Sequence, residues 1–411
     1  MSQPRRRRAL VGTVTVLATL LVLVVIGGLI QLNRPLPAPY VVTSLPATYT
    51  IPGAAPVLPW PTSGQAGVEV LGVGSLGAKS GGTTPVPIAS VAKIMTAYVI
   101  LTDHPLAAGA NGPTITITAA DVADYRNDVA HNDSATAVAV GEKLSEREAL
   151  EALLIPSADN VARLLATWDA GSIDAFLAKM NSTATALGMV HTHYTDPSGL
   201  EASTTSTASD QIRLAERAMA MPMFATIVAL KKVTLPIAGV VKNYNALLGR
   251  DGVIGIKTGS TSAAGGCLVF AAHRTVAGHT YTIIGAVLGQ GRTGPFVSVL
   301  PKVMTASHRL IRVAETALHS YPILHQGQHV ADLYGPFGAH TAIRAGADIA
   351  VVGWPGLTYQ LSTHVDAMPR VSAGSTLGSI QASGHGAAAT VGALNDEALT
   401  PPSLIERLKR G

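Results

Sequence analysis

The sequence predicts an α+β protein in which an antiparallel sheet is flanked by helices and followed by a small all-β domain. Two observations carry this expectation. Strand-like segments at "GVEVLGVGSLGAK" and, much later, at "GVIGIKTGS", "GCLVFAAHR" and "TYTIIGAVLG" bracket a long stretch of helical patterns. Strands that resume after a helical insertion, with short turns between them, form a meander with its helices laid against one sheet. Past Tyr321 the texture changes to short alternating segments such as "ADIAVVGW" and "LTYQLSTHV", separated by Gly-, Ser- and Pro-rich turns. That is the pattern of a separate β domain. A chain of 411 residues has room for both, since domains run to about 100–200 residues.

The elements follow in chain order. Arg5, Arg6, Arg7 and Arg8 precede the uncharged apolar run Ala9–Ile30, and about 20 such residues cross a bilayer as a helix. The run exceeds the usual signal-peptide core of about 7–15 residues, and "GGLIQLNRP" offers no small-residue cleavage site. Residues 9–32 therefore read as a retained signal-anchor. Residues 1–8 form a cytoplasmic basic tail, and everything after Leu32 lies on the other side of the membrane. Residues 33–63 are proline-rich and read as an extended spacer. Residues 64–320 form the main domain, and residues 321–411 the β-rich domain with a solvated tail.

Within the main domain, "ASVAKIMTAYVIL" predicts a largely buried helix. "SEREALEALLI" opens with Ser145 and Glu148 in capping-box spacing. "NVARLLATW", "SIDAFLAKMNSTATALG" (closing on Gly188) and "STASDQIRLAERAMA" are further helices, and a last one spans about Pro295 to Leu318.

Charge and composition exclude several classes. The chain carries 29 basic and 25 acidic residues, for a formal charge of +4. Arg5 to Arg8 account for all of it, so the remainder has no electrostatic footprint for nucleic acid. Cys267 is the single cysteine; it cannot form an intramolecular bridge and reads as a small buried hydrophobe. His191 and His193 lack metal-ligand spacing, and "GVGSLG" lacks the βαβ context of a dinucleotide site. No metal or cofactor is expected.

Three short motifs point to chemistry. In "SVAK", Ser90 and Lys93 are three apart, which places them on one helix face. The apolar residues that follow draw the lysine inward, and burial favours its neutral form. A neutral lysine beside a serine hydroxyl is a nucleophile–base pair. "PSADN" places Ser157 at a helix start, where a capping serine is the plain alternative. "GIKTGSTSAAG" places Lys257, Thr258, Gly259 and Ser260 at a strand end. Each motif alone is common; their order and spacing together are not.

On "PIASVAK", "PSADN", "DPSGL", "STASD" and "GIKTGSTSAAG", the chain resembles the D-alanyl-D-alanine carboxypeptidases. These are the low-molecular-mass penicillin-binding proteins of peptidase family S11, and the likeness runs from about Gly64 to Leu318. It implies a β-lactamase/transpeptidase-like fold and a peptidoglycan stem peptide ending in D-Ala-D-Ala as substrate. It also implies β-lactam antibiotics as inhibitors and the cell membrane as the site of anchoring. By the same resemblance, Ser90 attacks the carbonyl between the two D-alanines, Lys93 accepts its proton and Ser157 relays one to the departing amine. Lys257 supplies positive charge, and Thr258 and Gly259 bind substrate. The backbone N–H groups of Ser90 and Ser260 form the oxyanion hole. Arg292 is a candidate for the terminal carboxylate, with a solvated loop arginine as the equal alternative.

Two other readings stand beside this one. Class A β-lactamases share the motif order but carry an ExxLN glutamate between the second and third motifs. Here the corresponding "YTDPSGLEAS" leaves Glu201 without that partner. A non-catalytic β-lactam or wall-binding sensor is suggested only by Asp159, where the family usually has asparagine. An ionised aspartate accepts hydrogen bonds but cannot donate them, and near Lys93 it favours the ammonium and opposes its use as a base. Either Asp159 faces the pocket or a shift of one residue brings in Asn160; the helix face set by Val161, Leu164 and Leu165 favours Asp159.

Overall fold

A computed structural model describes residues 3–79, 83–291, 299–385 and 387–409. The chain divides into two compact units: Pro52–Ser320 with Val352–Gly356, and Met1–Ile51 with Tyr321–Val351 and Leu357–Gly411.

The first unit is built on a five-stranded antiparallel sheet. Its strand order is Val253–Thr261, Gly265–Val276, His279–Gln290, Gln65–Val70 and Gly74–Lys79. The three later strands are the expected meander. The strand Val253–Thr261, which carries Lys257 to Ser260, is an edge strand. Helices Ala208–Met219 and Val299–Ala317 pack on the sheet; the residues at which the latter was expected to begin lie outside those described. The helical part comprises Lys93–Asp103, Ala119–His131, Glu146–Leu154, Asp159–Ala170 and Ile173–Ala186. These share one apolar core with the sheet, including Ile94, Met95, Leu150, Leu165 and Val269. Local signals set the helix starts: Ser145 and Glu148 form the expected capping box, and Thr118 and Asp121 form another. Cys267 is buried in the second strand of the meander.

The second unit contains a seven-stranded antiparallel sheet. Five of its strands come from the region past Tyr321: His329–Tyr334, His340–Ala345, Ala387–Asn395, Thr376–Gly384 and Thr358–Val365. The other two correct the sequence expectation. Tyr40–Thr43 and Thr48–Thr50, which fall in the segment read as an extended spacer, are the two outermost strands of this sheet. Tyr40 pairs with Tyr334 in register, and their rings stack at 5.1 Å. The prolines around them masked two β-branched and aromatic stretches whose partners lie about three hundred residues away along the chain. The physical gain is edge protection, because an uncovered strand edge is a template for unwanted pairing.

Helix Gln3–Asn33 contains the apolar run, and its portion Arg7–Asn33 is long and apolar enough to cross a membrane, with mean hydropathy 2.8 and no burial. The tail expected to be solvated forms a short helix, Leu404–Lys409, with no buried residue. It is tied to the end of the long helix by Gln31 Nε2 donating to Arg407 O at 3.3 Å and Arg407 Nη2 donating to Arg34 O at 3.1 Å.

Candidate active site

Ser90 lies in a 3₁₀ turn, Ala89–Ala92, that runs directly into helix Lys93–Asp103. The expected contact is made: Lys93 Nζ donates to Ser90 Oγ at 3.0 Å. Lys93 has no exposed surface, and its two other acceptors are Asp159 Oδ1 at 2.5 Å and Ser198 O at 3.0 Å. Asp159 is the residue that faces Lys93. Asn160 turns away and holds Thr136 by both ends, accepting from its N–H and donating to its C=O at 3.0 Å each.

Ser157 departs from the plain capping role. The N-cap of helix Asp159–Ala170 is Ala158, and it makes no side-chain cap. Ser157 itself adopts φ +68°, a left-handed conformation that costs about 1–2 kcal/mol for a residue with a Cβ. Its hydroxyl is thereby directed to a second lysine, with Lys257 Nζ donating to Ser157 Oγ at 2.9 Å and to Thr258 O at 2.9 Å. Burial first, and then the positive Lys93, hold the Lys257 pKa well below the ordinary lysine value, while Asp159 pulls the other way.

Glycine at position 259 has a steric reason. A Cβ there would sit 2.9 Å from the backbone N of Ser90 and 3.0 Å from that of Val91. The edge strand can therefore lie against the serine turn only if this residue has no side chain. Ser90, Ser157, Thr258, Gly259 and Ser260 consequently line one small cavity of about 100 Å³. Arg292 lies outside the described residues.

Sequence reasoning passed over Ser134 and Tyr244, which line the same cavity; neither belongs to a motif, and nothing local marks them. The "DPSGL" turn supports the site from outside the cavity. The Asp196 carboxylate gathers the N–H groups of Ser198, Gly199 and Leu200 at 3.1, 2.8 and 2.9 Å. That turn presents Ser198 O to Lys93. Gly199 has φ +83°, and a Cβ there would run into the carbonyl of Ala89, the residue before Ser90. No group of three or more metal-ligating side chains occurs among the described residues.

Two serine–lysine pairs beside an open strand edge can activate a hydroxyl, protonate a leaving group and hold an extended peptide. Comparison with known proteins agrees with that chemistry. Residues 76–291 match the family described as D-alanyl-D-alanine carboxypeptidase, peptidase S11. The D-alanyl-D-alanine carboxypeptidase of Streptomyces sp. strain K15 is 36% identical over 216 residues, covering 48% of this chain and 71% of that protein. The solved structure of the Streptomyces K15 DD-transpeptidase superimposes with TM-score 0.53 at 31% identity, covering 65% of this chain and all of that one. Penicillin-binding protein 5 of Haemophilus influenzae, at 20% identity, shares the fold over 85% of this chain with TM-score 0.58. With the matched segment enclosing both serine–lysine pairs, this chain belongs to the D-alanyl-D-alanine carboxypeptidase family, peptidase S11, and is a serine hydrolase.

Proposed function

We propose that this enzyme removes the terminal D-alanine from peptidoglycan stem peptides ending in D-Ala-D-Ala, with Ser90 as nucleophile, and that β-lactams acylate the same serine. The observation that carries the reading is the Lys93–Ser90 contact at 3.0 Å at the foot of the edge strand bearing Lys257 and Thr258. Lys93 accepts the Ser90 proton as Oγ attacks the carbonyl between the two D-alanines. The backbone N–H groups of Ser90 and Ser260 receive the developing oxyanion, a contribution of roughly 3–4 kcal/mol per donor in comparable sites. Ser157, hydrogen-bonded to Lys257, passes a proton to the departing amine, and D-alanine leaves. Water then attacks the Ser90 ester and regenerates the serine, which completes covalent catalysis in two steps. Thr258 and the free edge of its strand bind the peptide as an added strand. The apolar helix anchors the enzyme by a single span, with the catalytic unit on the extracytoplasmic side.

A fluorescent penicillin should label the wild-type chain covalently and leave Ser90→Ala unlabelled; labelling of that variant would refute the assignment. Mass analysis of a pentapeptide ending in D-Ala-D-Ala should show loss of one D-alanine, suppressed by prior treatment with penicillin. Labelling without peptide turnover would favour the sensor.

A further inference from the structure

Behind the wall of the cleft, helices Ala119–His131 and Asp159–Ala170 are joined by an ion pair that the chemistry above does not use. Arg163 Nη2 donates to Asp128 Oδ1 at 2.6 Å, and Arg163 Nε donates to Asp124 Oδ2 at 3.3 Å. The two carboxylates differ in setting. The Asp124 side chain is 46% exposed, whereas that of Asp128 is 1% exposed and its Oδ2 has no hydrogen-bond partner. A carboxylate taken out of water is costly unless a cation stays with it. Asp128 therefore depends on Arg163. Burial holds the Asp128 pKa above the ordinary aspartate value, Arg163 pulls it back, and the charges of Asp159 and Asp133 add to the rise.

This pair closes a ring of contacts that ends at Lys93. The carbonyl of Asp128 accepts from the N–H of Asp133 at 2.9 Å. The carbonyl of the next residue, Ser134, accepts from the N–H of Asp159 at 2.7 Å. Asp159 and Arg163 are four apart on one helix and so share a face. Asp159 in turn holds Lys93. Asp133, Ser134 and Asp159 also line a larger part of the cleft beside Ser90, of about 440 Å³. Three carboxylates, of Asp128, Asp133 and Asp159, are thus set against Lys93 and Arg163, with His131 at the margin. Their fields overlap: Asp133 is acted on by Asp159, His131, Arg163 and Lys93 alike.

Negative charge near Lys93 favours its ammonium form and opposes its use as a base. Asp159 supplies one such charge in direct contact. A buried Asp128 without its cation would place a second one behind it. We infer that Arg163 is a positioning residue of the acylation step, which cancels the field of the buried Asp128 carboxylate at the Lys93–Asp159 pair. The inference rests on the reading of Lys93 as the base for Ser90, and it adds a control on that base from outside the three motifs. Arg163 acts through others, since its own hydrogen bonds go to Asp124 and Asp128.

The test is the second-order rate of penicillin acylation near neutral pH, read beside the thermal midpoint, for the full chain and its Asp128→Asn, Arg163→Gln and doubly substituted forms. Stability should fall in both single variants, because each leaves one partner of the pair behind. The rates should move in opposite directions. Arg163→Gln should acylate about three- to tenfold more slowly and Asp128→Asn faster by a similar factor, as for one charge roughly 10 Å away in a partly solvated setting. The double variant should return to within about twofold of wild type. Arg163→Lys, which keeps the charge, should keep the rate. A residue that merely braces the fold would change both single variants in the same direction. Rates that fall together, or that stay at the wild-type value, would overturn the role of Arg163 and leave the assignment of Ser90 standing. Should Arg163→Gln not fold, Asp128→Asn decides, and a rate at or below wild type overturns the inference. Failure of penicillin to acylate the wild-type chain would overturn that assignment and the inference with it.

Discussion

Replacing Asp159 by asparagine removes one charge from a pair that water barely reaches. The side chains of Lys93 and Asp159 are 0% and 5% exposed, with Nζ and Oδ1 2.5 Å apart. In Asp159→Asn, Lys93 keeps Ser90 Oγ and Ser198 O as acceptors, and the amide oxygen can replace the carboxylate as the third. What changes is the electrostatic field on the lysine. Two unit charges about 4 Å apart attract by about 4 kcal/mol at an effective dielectric of 20, and about 1.4 kcal/mol corresponds to one pH unit. Desolvation offsets part of the attraction, so penicillin acylation near neutral pH should be faster in Asp159→Asn than in wild type. The second-order rate of penicillin acylation, followed across pH, measures it. Breaking the ion pair also costs stability, about 1–3 kcal/mol, less than full removal of a buried partner because the acceptor oxygen remains. Asn160→Ala releases the Thr136 backbone and should cost a similar amount of stability, with the pH profile unmoved. A profile for Asp159→Asn that coincides with wild type, or a shift produced by Asn160→Ala instead, would refute the argument.

Three further outcomes follow from the same structure. Lys257 has a folded-state pKa well below its ordinary 10.5, so between those values the unfolded chain binds more protons and stability rises with pH. The thermal stability of wild type should therefore climb with pH relative to Lys257→Met as pH rises towards 10.5; parallel slopes would contradict this. Gly199→Ala should slow penicillin acylation by at least about tenfold, because its Cβ displaces the carbonyl of Ala89 next to Ser90; an unchanged rate in folded protein would count against the packing described. Deleting the chain through Thr50 strips the seven-stranded sheet of both edge strands. Light scattering should show aggregation through that sheet while penicillin acylation persists, and a monomeric product of undiminished stability would show the strands to be dispensable.

Some features of this protein were legible in the sequence because they depend on neighbours along the chain. The Ser90–Lys93 contact follows from helical spacing, the Ser145–Glu148 cap from its own four residues, and the meander from short turns between apolar runs. The apolar helix is legible from length and composition alone. The motif order placed Ser90, Ser157 and Lys257 in one family pattern, but spacing along a chain carries no direction for a side chain. Whether Ser157 caps its helix or turns to Lys257 was decided by a left-handed backbone and a lysine one hundred positions away. Asp159 and Asn160 were divided between Lys93 and Thr136 by the packing of that helix on four others. Asp133 and Ser134 belong to no motif, and only the folded chain brings them to the lining of the cleft. The pairing of Tyr40–Thr43 and Thr48–Thr50 with strands from the far end of the chain was equally invisible. A strand's partner is chosen by which edge is open, and only the folded sheet has edges.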